Sequence, residues 1–147
     1  MPSFPLTAID VAKRFARSLD QADYASAAEC LATACQYEIA GQMHVGPDAI
    51  LASYRESGDW AARTLDGIRY ENNVRPKEGG GVVVEFIDHL EHAGVTHLHR
   101  CEQHLRLDER GLISHIKHVD LLGEQEALDR FFAAVGLSRS TPGAEKA

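Results

Sequence analysis

All but one of the eight histidines fall between His89 and His118, interleaved with carboxylates and an amide that can orient them. An imidazole exchanges protons near neutral pH, and a carboxylate beside it fixes its tautomer and stabilises its protonated form. His99, His118 and Asp120 supply those parts if one sheet face brings them together. His97-Leu98-His99 also has the spacing at which two imidazoles share a strand face, as metal sites use. Glu102 falls on the opposite face of an unbulged strand, so a three-ligand set would have to recruit His118, Asp120 or Asp88. Cys30, Cys35 and Cys101 lack a CxxC spacing and read as reduced, mostly buried thiols. No GxSxG, P-loop or dinucleotide fingerprint occurs, so no cofactor is expected, and serine-hydrolase, NTPase and nicotinamide chemistry lack their residues.

The elements that must position these groups change period along the chain. Thr7 can cap a helix from Ala8 to Asp20, with Ile9, Ala12, Phe15, Ala16 and Leu19 at helical spacing. Asp23 caps a second, Ala-rich helix running to about Thr33, and a short strand from Cys35 to Ala40 follows. Gly46-Pro47-Asp48 opens a third helix to about Ala62. Alternation then predicts strands at Ile68–Val74, Val82–Leu90, Val95–Leu107 and Leu112–Leu121, the last three forming an antiparallel meander across two four-residue turns ending in Gly94 and Gly111. A helix from Glu124 to Val135 closes the pattern, and composition predicts a disordered tail from Ser138 to Ala147 after one domain spanning residues 1–137.

Those turns set a register. Pairing Leu107 with Leu112 sets Gln103 against Ile116, Cys101 against His118 and His99 against Asp120; pairing Leu90 with Val95 sets Phe86 against His99. One face then collects Val82, Val84, Phe86, Asp88 and, along the next strands, His97, His99, Cys101, Gln103, Ile116, His118 and Asp120. The opposite face carries His89, His104 and His115 as surface residues, with Ile87, Leu98, Ile113 and Val119 among charges. A curved sheet covered by helices leaves a cavity at the polar end of the first face. Tyr37, Trp60, Phe86, His97, Cys101, Gln103 and Ile116 are the expected ligand contacts around it.

The 147 residues carry 15 Lys+Arg against 22 Asp+Glu, a formal charge of −7, with 44% hydrophobic and 25% charged residues. This is an ordinary globular balance. No basic cluster longer than Lys13-Arg14 occurs, which argues against nucleic acid or an anionic membrane as partner. No apolar run approaches a membrane span and the first residues lack a signal pattern, so a cytoplasmic location is expected.

Three segments carry a family resemblance: the run from Phe15 to Tyr24, Gly46-Pro47-Asp48-Ala49-Ile50, and Leu107-Asp108-Glu109-Arg110-Gly111-Leu112-Ile113 followed by His118-Val119-Asp120. With the element order, they make the chain resemble the nuclear transport factor 2-like superfamily, including SnoaL-like cyclases, ketosteroid isomerase and scytalone dehydratase, over about Ala8 to Gly136. The resemblance implies an α+β fold: a curved antiparallel or mixed sheet wrapped around N-terminal helices to form a cone-shaped pocket. It also implies a role for Asp20, which matches the aspartate that orients the catalytic histidine of scytalone dehydratase. That enzyme's histidines fall on Arg69 and near Val84 or Phe86 here, and the ketosteroid isomerase oxyanion residues fall on Phe15 and Gln103. The expected function is an acid/base enzyme, of isomerase, dehydratase or cyclase type, on an apolar carbonyl-containing metabolite. His99 or His118 would be the base, Asp120 or Asp20 its orienting acid, and Gln103 or Tyr37 the oxyanion donor. A non-catalytic binding or dimerisation module and a His-ligated metal enzyme are the alternatives. Homodimer pairing through the outer sheet face is the expectation the family adds.

Overall fold

The computed structural model describes residues 7–137, and the tail expected to be disordered lies outside them. Helix α1 (Ala8–Asp20) starts at a reciprocal cap. The Thr7 hydroxyl accepts from the Asp10 amide at 3.1 Å and the Asp10 carboxylate accepts from the Thr7 amide at 3.3 Å. The helix buries Val11, Ala12, Phe15 and Ala16, which leaves Asp20 at the end of the core. Helix α2 (Tyr24–Ala28) is a short turn capped by Asp23. Strands β1 (Leu31–Ile39) and β2 (Gln42–Val45) precede helix α3 (Pro47–Thr64). Strands β3 (Gly67–Pro76), β4 (Val82–His92), β5 (Val95–Leu107) and β6 (Ile113–Asp120) then lead to helix α4 (Glu124–Ala134).

The strands form a curved, unclosed mixed sheet in the order β2-β1-β6-β5-β4-β3, with β1 parallel to β6 and every other pair antiparallel, so the fold is α+β. Two local differences from the sequence reading have one cause each. The Ala-rich segment after Asp23 was expected to stay helical to Thr33, but Leu31 pairs with Ile113 of β6, and sheet pairing prevails over helix propensity. The chain then reverses at Ala40-Gly41, both at positive φ (51° and 75°), adding the short hairpin strand β2.

The meander forms, but both of its registers differ from the expected ones by two residues. Ala93 and Gly94 take positive φ (51° and 77°), making a two-residue turn in which His92, not Leu90, faces Val95. As a result Asp88 faces His99 and Phe86 faces Cys101. Between β5 and β6, Gln103 faces His118 and Cys101 faces Asp120, so the expected His99–Asp120 and Cys101–His118 pairs do not form. A shift of two residues keeps every side chain on its face. The exception is Ile113: an irregularity at Arg106/Leu107 turns it into the core, so it is lost to the outer face. On that outer face His89, His104 and His115 each meet a carboxylate, of Glu71, Glu102 and Glu38 respectively.

Two apolar clusters bracket the cavity. The larger holds α1, β1 and the inner face of the meander around Phe15, Ile50 and Ile116. The smaller joins Trp60, Leu65 and Leu90 to Leu128, Phe131 and Phe132 of α4. The approach between the β3–β4 turn and β5 depends on Gly81, where φ is +91° and an added Cβ would lie 2.5 Å from the Leu105 carbonyl oxygen. Gly81→Ala is therefore expected to destabilise the protein by about 2 kcal/mol or more in urea unfolding. Gly79→Ala, at φ +87° but with open space around the added carbon, should lose only the backbone part of that.

Candidate functional site

The inner sheet face, α1, α3 and α4 enclose a cavity of about 330 Å³. Its wall is mostly apolar and aromatic, and its polar groups include Asp20 from α1, Tyr37 from β1, Tyr54 and Asp59 from α3, Tyr70 from β3, Asp88 from β4, His99, Cys101 and Gln103 from β5, and His118 from β6. Convergent polar groups in an apolar concavity are the ordinary form of a small-molecule site.

Two carboxyls stand out. The side-chain amide of Asn72 on β3 donates to Asp20 Oδ2 at 2.7 Å, which favours the ionised form, while burial opposes it more strongly and raises the pKa. Asp88 is raised to about 7, first by burial and then by the charge of Asp20. Burial thus disfavours the charged form of both carboxyls, and Asp88 exchanges its proton near neutral pH. Alternation places Asp88 on the inward face from sequence, where the only chemistry expected of it is as a third metal ligand. Its significance comes from the two-residue turn, which sets it opposite His99, and from Asp20, which is distant in sequence.

His99 is 3% exposed, and neither ring nitrogen meets a protein hydrogen-bond partner. Burial lowers its pKa, so the ring is neutral and offers one donor and one acceptor. His118 is held differently. Gln103 Nε2 donates to its Nδ1 at 3.4 Å, which leaves the proton on Nε2 for Asp120 Oδ1 at 2.9 Å. Both ring nitrogens are thus engaged, and the Asp120 side chain is 60% exposed. Gln103 is equally committed: its amide nitrogen also donates to the Tyr37 hydroxyl at 3.1 Å and its carbonyl accepts from the Tyr54 hydroxyl at 2.5 Å. The Tyr37 and Tyr54 rings stack at 5.0 Å. This network forms a rigid polar wall around the amide of Gln103. Tyr54→Phe keeps the ring and strands the Gln103 carbonyl, so thermal or chemical unfolding should report a loss of about 1–3 kcal/mol.

The other expected contacts divide. Tyr37, Trp60, Phe86, Cys101 and Gln103 line the cavity; His97, Ile116 and Asp120 do not. His97 lies outside it with its ring stacked on Phe131 at 5.2 Å, and Ile116 is fully buried in the larger core cluster. Trp60 packs edge-on against Phe132 at 5.4 Å, so it both anchors α4 and forms cavity wall. Cys101 is buried, and burial holds its thiol well above the ordinary range, which keeps it protonated. Among the described residues no group of three or more His, Cys, Asp or Glu is arranged to hold a metal ion. Among them, too, no helix is long and apolar enough to cross a membrane.

A curved mixed sheet closed by N-terminal helices over an apolar cavity is the nuclear transport factor 2-like fold, and this chain has it. No protein-family model matches the sequence and no curated protein does. The fold is shared instead with solved structures of low sequence identity. An NTF2-like protein of unknown function from Exiguobacterium sp. 255-15 is 19% identical over 77% of this chain and 97% of its own, with a TM-score of 0.55. A candidate polyketide cyclase from Xanthomonas campestris pv. campestris is 15% identical over 87% of this chain and 96% of its own, with a TM-score of 0.62. An LEH-like epoxide hydrolase from Mycobacterium tuberculosis is 19% identical over 88% of this chain and 94% of its own, with a TM-score of 0.59.

Proposed function

We propose that the protein is an acid/base enzyme acting on a mostly apolar small molecule that carries a carbonyl or similarly polarised oxygen. Solved structures of the same fold, described as a candidate polyketide cyclase and an LEH-like epoxide hydrolase, support a small-molecule chemistry. The observation that carries the reading is the half-buried Asp20–Asp88 pair on the cavity wall, in which Asn72 donates to the Asp20 carboxyl and burial raises Asp88 to about 7.

In this scheme the Asp20 carboxylate takes a proton from a carbon activated by the oxygen, while Asp88 gives its proton to that oxygen. The substrate thereby gains an O–H bond and loses a C–H bond, and the pair is restored when the proton returns at a second carbon or when water exchanges it. His99, beside Asp88 in the register and neutral, donates a second hydrogen bond to the oxygen as charge develops there. His118 and Asp120 act through Gln103, holding the wall in place. Turnover of a panel of cyclic enones, hydroxyketones and epoxides by the wild type, Asp88→Asn and Asp20→Asn tests the reading. A rate on any panel member that both variants lower at unchanged ligand affinity supports it, and full rates in either variant overturn it.

Chain pairing through the outer face rests on Leu98, Val119 and their charged neighbours. Sedimentation of wild type against Leu98→Glu tests it: a dimer lost in the variant supports pairing, and a monomeric wild type ends it.

A further inference from the structure

The cavity wall has a charge pattern that acid/base catalysis does not by itself require. Asp20, Asp88 and Asp59 line it, and no lysine or arginine does among the described residues. Aromatic rings line the same cavity, Tyr70, Phe86, Trp60 and Phe132 among them. Tyr70 lies directly across the β3–β4 ladder from Asp88. An independent feature points to a guest at this spot: the His99 ring is 97% buried and lines the cavity, with neither nitrogen bonded to the protein. Buried polar groups are normally satisfied, and a ring of this kind is satisfied by what enters the cavity.

The geometry points to this cavity as a receptor for a hydrophobic ammonium ion: a primary amine on an apolar skeleton of one or two rings. Its N–H donors would be set against the carboxyls of Asp20 and Asp88, with the neutral His99 ring opposite Asp88 in the register. An ammonium offers donors and no acceptor, which matches a wall whose ionisable groups are carboxyls and a neutral imidazole. The charge would lie beside aromatic faces, which attract cations through their quadrupole. A neutral guest leaves one carboxyl needing its proton, and an anion meets like charge with no basic side chain to offset it. The volume, about 330 Å³, is at the small end of ligand sites and suits a fused bicycle.

The inference rests on the Asp20–Asp88 pair of the catalytic reading but not on turnover. Protonated amines of this class would occupy the site by displacing the proton of Asp88, as inhibitors of whatever neutral substrate it turns over. Three probes on one skeleton test it by titration calorimetry at pH 7: 2-aminoindane, 2-indanol and indane-2-carboxylate. The amine is expected to bind about tenfold or more tightly than the alcohol, with the carboxylate weakest. Asp88→Asn should remove most of the amine's advantage, the ratio of amine to 2-indanol affinity falling by about tenfold, and Asp20→Asn serves as the second variant should the first fail to fold. Equal affinity for amine and alcohol, preference for the carboxylate, no binding of any probe, or an amine advantage that survives both variants would overturn it. Because no step of this experiment involves turnover, its failure leaves the catalytic reading standing, and a failure of catalysis leaves an amine preference intact.

Discussion

Relative to Asp88→Asn, the wild-type protein is expected to lose on the order of 2–4 kcal/mol of folding stability as pH rises from 5 to 8. In the unfolded chain this aspartate has its ordinary value near 3.8, whereas in the fold it is raised to about 7. Between those values the native state holds a proton that the unfolded state has released, so raising the pH favours unfolding. The contribution is complete below about pH 4 and is gone once pH has risen through about 7. Asp20, raised by burial, acts in the same direction. His97 and His99 act oppositely, because burial lowers their pKa and the fold loses stability as pH falls and the unfolded imidazoles become protonated. The raw stability curve therefore combines opposed slopes. The difference between wild type and Asp88→Asn cancels the groups remote from residue 88 and leaves this carboxyl with its coupling to Asp20. Urea unfolding of the two proteins at pH 5, 6, 7 and 8 measures it; a difference that stays flat across that range would mean that Asp88 ionises like a surface residue.

How much of this was legible in the sequence follows from what each signal depends on. Local signals carried well: the Thr7–Asp10 cap, Pro47 at the start of α3 and the period-2 meander are properties of a few consecutive residues, and α1 and β5 appear within the bounds expected for them. Strand parity carried too, since an even shift leaves faces unchanged, and His99, Cys101, Gln103 and His118 all reach the cavity. Partner identity did not carry. It depends on the register, and the register depended on whether the reversal at Ala93-Gly94 used two residues or four. A non-glycine residue at positive φ is not announced by its type, and Ala93 is an alanine. That turn sets Asp88 opposite His99, where Phe86 was expected. The link between Asp20 and Asn72 spans 52 positions and has no periodic signature at all. The resemblance to scytalone dehydratase nevertheless singled out Asp20, and the structure places it on the cavity wall.

Asp20→Asn and Asp88→Asn are each expected to lower kcat by about 10²–10⁴ on a substrate found by the panel, with different effects on its pH dependence. In the proposed scheme Asp20, hydrogen-bonded by Asn72, is the base; its loss removes the base at every pH and leaves the shape of the profile set by Asp88. Asp88 is the group that must be protonated, so the wild-type kcat/KM should fall above about pH 7 as the acid is lost. In Asp88→Asn the slow residual rate should show no such limb, because an amide has no proton to lose in that range. Asp120→Asn provides the contrast. If His118 and Asp120 were the working dyad, that substitution would be as damaging as the other two. With the Asp120 side chain 60% exposed and its effect passing only through His118 and Gln103, a loss of less than about tenfold is expected, with the alkaline limb unmoved. A profile in which Asp120→Asn abolishes turnover while Asp88→Asn retains the alkaline limb would transfer the chemistry to the imidazole on β6.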